Sequence, residues 1–362
     1  DMEMLVIDDG WFAGRNDDNS SLGDWIADKT KLKGSLKDLV KDINAAGLDC
    51  GIWMEPEMVS EDSNLFRQHP DWALITPGRA PVRGRNQLVL DLSRKEIRDH
   101  IYDQIKNVLD TGVNYLKWDF NRSIFDAYSS EAEHQGSVKY DYVLGVYEIL
   151  GKINDNYPEV LIEGCAGGGG RFDAGMLFYT PQIWCSDNTD PLERAVIQYG
   201  TSFCYPASTI SAHVSASPNQ QTGRVTSLEL RANTAMYGAF GYELDLGLLS
   251  EDEKEKVKQQ IRDYREYQEL ITEGFYYRLN DPEKDAAFGW EFASGDGKEA
   301  LVHTVIREIH GNDLFTYIRI KGLIPGKMYM DTCSGRSYSS DVLMNAGIPL
   351  PKEPGEYRTE RF

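Results

Sequence analysis

The stretch NYLKWDFNR (114–122) sets a lysine, an aspartate and an asparagine at alternate positions, Lys117, Asp119 and Asn121. In an extended strand alternate side chains share a face, so these three point one way and Trp118 points the other. A carboxylate flanked by an ammonium and an amide is held ionised with its oxygens oriented. A nucleophile that attacks an anomeric carbon needs both conditions. The same pattern also suits a structural Lys–Asp ion pair at a strand end, and both readings stand at this point. IWCSDNTD (183–190) supplies a second carboxylate, Asp187, which shares a face with Ile183 and Cys185 and can project into the same mouth as Asp119. Two carboxylates flanking a sugar bond are the working pair of most glycosidases, one as nucleophile or base and the other as acid. Capping the helix that begins near Leu192 is the competing task for an aspartate here, and it is assigned to Asp190.

Other polar residues cluster in comparable places. Asp8 and Asp9 in IDDGWF (7–12) suit hydrogen bonds to neighbouring sugar hydroxyls, although adjacent carboxylates also bind divalent metals or cap helices. The DxDxDG spacing of a calcium loop is absent. In GIWMEPEMVS (51–60), Trp53 is either a platform for a sugar face or a core tryptophan, and Glu55 and Glu57 are structural partners. VRGRNQLVLDLS (82–93) brings Arg83 and Arg85 to a loop, where one of them can reach a substrate or brace a carboxylate. CAGGGGRFD (165–173) is a turn after a strand, with Cys165 at its start and Gly168 within it. It lacks the Gly-Lys-Ser/Thr ending of a phosphate-binding loop, so its glycines serve close backbone approach to a ligand. Neither HExxH nor GxSxG occurs, which argues against a zinc or serine hydrolase.

These residues need a scaffold that gathers strand ends. Apolar runs at 4–9, 49–55, 114–120, 160–166, 182–187, 208–213 and 240–246 alternate with helical patterns at 34–47, 94–109, 140–154 and 192–200. Such alternation predicts a parallel sheet covered by helices. Polar residues close nearly every run: Asp8 and Asp9, Glu55, Asp119, Cys165, Asp187, His213 and Asp245. A (β/α)8 TIM-type barrel builds its active site from several strand ends at one face, whereas a doubly wound sheet concentrates chemistry at one switch point. No GxGxxG follows the first run. The expected fold is therefore α/β, a (β/α)8 barrel. Seven runs are visible where eight are needed, so the first βα unit is expected upstream of Asp1. Beyond residue 275 the pattern changes to alternating, aromatic-rich runs: FYYRL, AAFGWEFAS, EALVHTVIRE, FTYIRIKGL and KMYMDTC, separated by turns such as NDPEKD, SGDGK and HGND. They predict a C-terminal antiparallel β-sandwich. The expected organisation is a barrel domain over 1–274 and an antiparallel domain over 275–362. The charged stretch at 250–273 is expected to be a solvated helix.

Composition narrows the partners. Lys plus Arg number 38 against 58 Asp plus Glu, a net charge of -20 over 362 residues, which would repel both nucleic-acid phosphates and anionic membranes. A neutral sugar meets no such barrier. No window approaches the roughly 18 apolar residues of a membrane span. Five cysteines form no CxxC pair, which argues against a disulfide framework and points to a reducing, cytoplasmic setting.

IDDGWF with SSLGDW, GIWMEPEMVS, GRNQLVLDLS, LKWDFNRS, EGCAGGGGRFD, and WCSDNTD with LERAVIQYG resemble the successive motifs of glycoside hydrolase family 36 α-galactosidases, in that family's order. The resemblance implies a retaining hydrolase of terminal α-linked galactose, as in melibiose or raffinose, with no metal and no organic cofactor. It implies Asp119 as nucleophile and Asp187 as general acid/base. It also implies that Asp8, Asp9, Trp53, Arg85, Lys117, Asn121, Cys165 and Gly168 hold the galactose ring, which selects Arg85 over Arg83. Lys117 is expected to keep Asp119 ionised. Family members carry an N-terminal β domain and a first barrel strand that are not in this chain. Family oligomers use that domain, so a homo-oligomer is an expectation for a full-length protein only. The alternatives are a non-catalytic galactose-binding remnant, a galactosyl-transferring relative akin to raffinose synthases, or a hydrolase preferring α-N-acetylgalactosamine.

Overall fold

The computed structural model describes residues 2–309, 311, 316–351, 355 and 357–362. The chain divides into two compact units, Met2–Trp184 and Cys185–Phe362. In the first, the strands Met4–Ile7, Asp49–Met54, Tyr115–Trp118, Leu161–Gly164 and Gln182–Trp184 pair in sequence order, each parallel to the next. A doubly wound sheet reverses its strand order at a switch point. No reversal occurs across these strands, as a barrel requires.

The helices of this unit cover the sheet with apolar stripes. Lys95–Leu109 buries Ile97, Ile101, Ile105 and Val108, one residue per turn. Val138–Asn156 buries Tyr142, Val146, Ile149 and Ile153. Its Gly145 is needed for contact, because a Cβ there would stand 2.1 Å from the Leu92 carbonyl oxygen. Leu36–Ala45 starts at Ser35, whose hydroxyl accepts from the Asp38 backbone N–H while the Asp38 carboxylate reaches back. Two long connections follow strand ends. Residues 8–35 bury Trp11, Phe12, Leu22 and Trp25. Residues 55–94 hold a short antiparallel pair, Met58–Val59 with Leu88–Val89.

The second unit contains the helix Pro191–Thr201 and two further parallel strands, Ile210–Ser215 and Ala239–Glu243. All seven expected runs are thus strands, within a few residues of the expected bounds. Asp190 caps Pro191–Thr201 as expected, accepting from the backbone N–H groups of Leu192 and Glu193. The helix Glu251–Glu273 buries Val257, Gln260 and Ile271 and exposes most of its charges, in line with a solvated face.

An antiparallel sheet follows, ordered Phe275–Leu279, Ala287–Ala293, Ala300–Ile306, Arg358–Arg361. Two antiparallel pairs accompany it, Tyr317–Ile318 with Ile348–Pro349 and Met328–Met330 with Ser337–Ser339. Leu279, Val302, Ile318, Leu343 and Ile348 share one apolar core, so the layers close on each other. The strand Arg358–Arg361 was not expected, since RTER has no apolar alternation; main-chain pairing with Ala300–Ile306 recruits it. Only Gly311 of the HGND turn, and not Phe315 of FTYIRIKGL, lies within the described residues.

Candidate active site

Within Met2–Trp184, Asp119 follows the strand Tyr115–Trp118 and is buried. Its Oδ2 accepts from the Trp53 indole Nε1 at 3.0 Å and from Asn121 Nδ2 at 2.6 Å. Its Oδ1 accepts from the backbone N–H of Phe120 at 2.8 Å. Three donors orient this carboxylate. Trp53 comes from the adjacent strand, Asp49–Met54. Its ring is buried, meets Trp25 edge-on, and its carbonyl accepts from the Trp11 indole at 2.8 Å. Trp53 is therefore a clamped donor to Asp119.

Lys117 shares the expected face but its Nζ bonds Asp8 Oδ2 at 2.8 Å. Burial works against its charge; Asp8 and Glu163 outweigh burial and hold the ammonium well above the ordinary lysine range. The hydrogen bonds that orient Asp119 thus come from Trp53, Asn121 and the backbone, while Lys117 ties Asp8 to the strand floor. Asp9 is fixed by Arg15, whose Nε and Nη2 both reach it, with the shortest contact 2.8 Å. Asp8 and Asp9 are both exposed at the end of Met4–Ile7, one on a lysine and the other on an arginine.

Cys165 is buried just past Leu161–Gly164, and its N–H donates to the Trp118 carbonyl at 2.8 Å. The glycine turn then folds on itself, with Ala166 N–H bonded to the Gly168 carbonyl. Gly168 has φ of +81°, a conformation that glycine adopts without strain. Arg85 lies on an exposed loop at φ +50°, and neighbouring Arg83 pairs with Glu61 at 2.5 Å. Pairing occupies Arg83 and leaves Arg85 as the loop's other guanidinium.

Sequence reasoning named Glu55 and Glu57 as structural partners but found neither the residues they hold nor the roles of Gln87, Tyr142 and Arg171. Glu57 is fully buried and accepts from Trp118 Nε1 at 2.7 Å, from Arg171 Nη2 at 2.8 Å and from the Tyr142 hydroxyl. Arg171 also lies over the Phe120 ring at 4.2 Å, so the glycine turn and the segment after Asp119 are fastened together. Glu55 accepts from the backbone N–H of Asn121 and from Gln87 Nε2, both at 2.6 Å. Burial and the nearby Asp119 push the Glu55 carboxyl up to about 7. Nothing in the spacing of Gln87 or Arg15 signals these pairings, which arise from chain segments far apart in sequence.

Asp187 belongs to the Cys185–Phe362 unit and is exposed. Its carbonyl accepts from Gln221 Nε2 at 3.1 Å. Three residues on, buried Asp190 anchors the loop through Thr222 Oγ1 at 2.6 Å and Arg224 at 2.5 Å. Burial works against the Asp190 charge, but these donors outweigh it and hold the carboxyl below the ordinary aspartate range. Among the described residues no cluster of His, Cys, Asp and Glu could hold a metal ion, and no helix is long and apolar enough to cross a membrane.

Comparison with known proteins decides the family. The melibiase family model matches residues 1–274, and a glycosyl hydrolase family 36 C-terminal domain matches residues 287–362. The chain belongs to the melibiase family. It is 54% identical over its whole length to the bifunctional alpha-galactosidase/sucrose kinase AgaSK of Mediterraneibacter gnavus, covering 38% of that protein. It is 47% identical to alpha-galactosidase AgaA of Geobacillus stearothermophilus, with 100% of this chain and 49% of that protein covered. The chain thus spans half or less of the length of these curated relatives. A crystal structure of an AgaA variant in complex with raffinose superposes with a TM-score of 0.97 at 46% identity, covering 99% of this chain and 50% of that one. The galactosidase domain of AgaSK gives 0.96 at 54% identity, covering 99% and 49%. The fold of this melibiase-family chain is accordingly that of the family 36 barrel enzymes, with a C-terminal antiparallel part.

Proposed function

We propose that this protein is a retaining α-galactosidase that removes terminal α-linked galactose from oligosaccharides of the raffinose type. The observation that carries the reading is the Asp119 carboxylate, held by Trp53, Asn121 and the Phe120 N–H in a melibiase-family chain. Relatives named as alpha-galactosidases, and AgaA variants solved with raffinose and stachyose, support the substrate class.

A carboxylate oxygen has two lone pairs. Those of Asp119 Oδ2 are both engaged, whereas Oδ1 accepts one bond and keeps a pair for attack on the anomeric carbon. Asp187, protonated, gives its proton to the glycosidic oxygen as the bond to the leaving sugar breaks and the β-galactosyl ester forms. Asp187 then takes a proton from water, whose oxygen attacks the anomeric carbon, displaces the Asp119 carboxylate and frees galactose with retained configuration. Asp8, Asp9, Arg85, Lys117, Asn121, Cys165 and Gly168 would hold the ring hydroxyls, with Trp53 as both wall and donor. The reducing setting suggested by five free cysteines supports a cytoplasmic enzyme. No metal or organic cofactor enters any step.

Because the chain spans 38% and 49% of the AgaSK and AgaA sequences, a second reading is sugar binding without turnover by this portion alone. Hydrolysis of p-nitrophenyl α-galactoside, with Asp119→Ala as control, separates the two. Release of nitrophenol by the parent and none by the variant supports the enzyme. Equal release by both removes Asp119 from the mechanism, and galactose binding without release by either supports the second reading.

A further inference from the structure

Glu55 is one of several buried carboxyls of the first unit that the reaction above leaves unused, with Glu57, Asp91 and Glu163. It stands immediately after the strand Asp49–Met54, is 1% exposed, and yet makes no salt bridge among the described residues. Its Oε1 receives two hydrogen bonds at 2.6 Å, one from Gln87 Nε2 and one from the Asn121 backbone. Asn121 in turn gives its side-chain amide to Asp119 Oδ2. A chain of short bonds therefore runs Gln87–Glu55–Asn121–Asp119 across three segments of the unit.

Both of these donors to Glu55 are neutral. Gln87 is buried, and the Arg122 guanidinium behind it is spent on the carbonyls of Gln87 and Val82. Glu57, two residues on, takes its partners from Trp118, Tyr142 and Arg171 instead. The charge that bears on Glu55 is that of Asp119, a like charge. Two carboxylates so placed cannot both ionise without cost, and the more buried one keeps its proton longer.

We propose that Glu55 is a positioning residue for Asp119: it fixes Asn121, which holds the reacting carboxylate, and it carries a proton while Asp119 is charged. Loss of the Asp119 charge lets the Glu55 proton pass to solvent, leaving the Glu55 carboxylate on the same two donors. An uncharged Glu55 spares the nucleophile a permanent negative neighbour and keeps Asn121 in place. Burial and the Asp119 charge together raise the Glu55 carboxyl to about 7, in the sense this arrangement needs. The inference rests on the reading of Asp119 as nucleophile only for its link to turnover, since the bonding chain and the charge coupling stand without it.

The test titrates the Glu55 carboxyl carbon in the 13C-glutamate-labelled chain, its resonance assigned by loss in Glu55→Gln. In Asp119→Asn the Glu55 midpoint should fall by roughly one pH unit, as expected when a like charge is removed nearby at an effective dielectric of about 20. In Gln87→Met it should rise, because one donor to the charged form is gone. An unchanged midpoint in both variants overturns the coupling. On p-nitrophenyl α-galactoside, Glu55→Gln keeps the neutral acceptor oxygen and should retain kcat within about threefold, whereas Glu55→Ala should lose on the order of 100-fold in kcat with little change in KM. Equal loss in the two variants overturns the positioning role, as does full activity in both. Should Glu55→Ala not fold, Gln87→Met carries the same reading through its raised midpoint. An active Asp119→Asn with a lowered Glu55 midpoint would sink the nucleophile assignment and leave the coupling intact; an inactive one with an unmoved midpoint does the reverse.

Discussion

The indole N–H of Trp53 donates to the Asp119 carboxylate at 3.0 Å, from the neighbouring strand and 66 residues earlier in the chain. Trp11 bonds the Trp53 backbone carbonyl, Trp25 packs edge-on against the indole, and the indole is buried. A donor so fixed loses nothing to reorganisation when the carboxylate reacts.

Trp53→Phe tests that donor. A phenyl ring stays, while the bond to Asp119 Oδ2 and the volume of the fused pyrrole ring go. We expect kcat to fall by about 10- to 100-fold, given the usual cost of one oriented donor, and the melting temperature to fall by several degrees for the cavity left in a buried site. Steady-state kinetics beside a thermal melt would check it. Unchanged kcat removes Trp53 from the machinery.

Asp187→Ala separates acid help from base help. A nitrophenol leaves without a proton, whereas the sugar of melibiose does not. Activity on melibiose should therefore drop far more than the first step on p-nitrophenyl α-galactoside, and added azide should speed turnover of the latter by replacing water. A uniform loss on both substrates without azide rescue counts against Asp187 as acid/base.

Asp190→Ala should cost stability as well as rate. The carboxylate is buried, caps Pro191–Thr201, and pairs with Arg224 and Thr222. Removing it leaves the Arg224 guanidinium unmatched, so we expect a loss of about 2–4 kcal/mol in urea unfolding. Asp190→Asn preserves the cap and should lose less. Because the folded carboxyl is held below its ordinary value, the stability it contributes is present above the unfolded value of 3.8 and fades as pH falls through the lower folded one.

His303 predicts an acid-side weakness in the antiparallel part. Its ring is fully buried, stacks on Trp290, and burial together with Arg361 takes it from 6.5 down to about 3. The unfolded chain thus binds a proton that the folded chain refuses. Stability from the neutral ring is complete above pH 6.5 and is lost toward pH 3, by about 1.4 kcal/mol per pH unit while only the unfolded state is protonated. His303→Leu should flatten that slope in urea melts at pH 7 and pH 5. A parallel decline in parent and variant would sink the idea.

Much of this molecule was legible in the chain itself. The seven apolar runs became parallel strands because alternation and β-branched content act locally, and Asp190 capped its helix because a cap needs only the next three residues. The order of motifs ending in Asp8, Asp119 and Asp187 identified the family for the same reason: strand ends are written in sequence. The short strand Arg358–Arg361 was not legible, because RTER carries no pattern and exists by pairing with Ala300–Ile306.

Tertiary structure alone decided who bonds whom. From the sequence Lys117 was expected to keep Asp119 charged, since they share a face; in three dimensions its ammonium reaches Asp8, 109 residues away. Trp53 read as a platform or a core residue, and only the fold turned its N–H toward Asp119. Glu55 and Glu57 differ by one intervening proline, yet one serves Asn121 and the other serves Trp118, Tyr142 and Arg171. Side-chain periodicity determines which face a residue takes. Hydrogen-bond partners at 2.6–3.0 Å are set by long-range packing that no local pattern encodes.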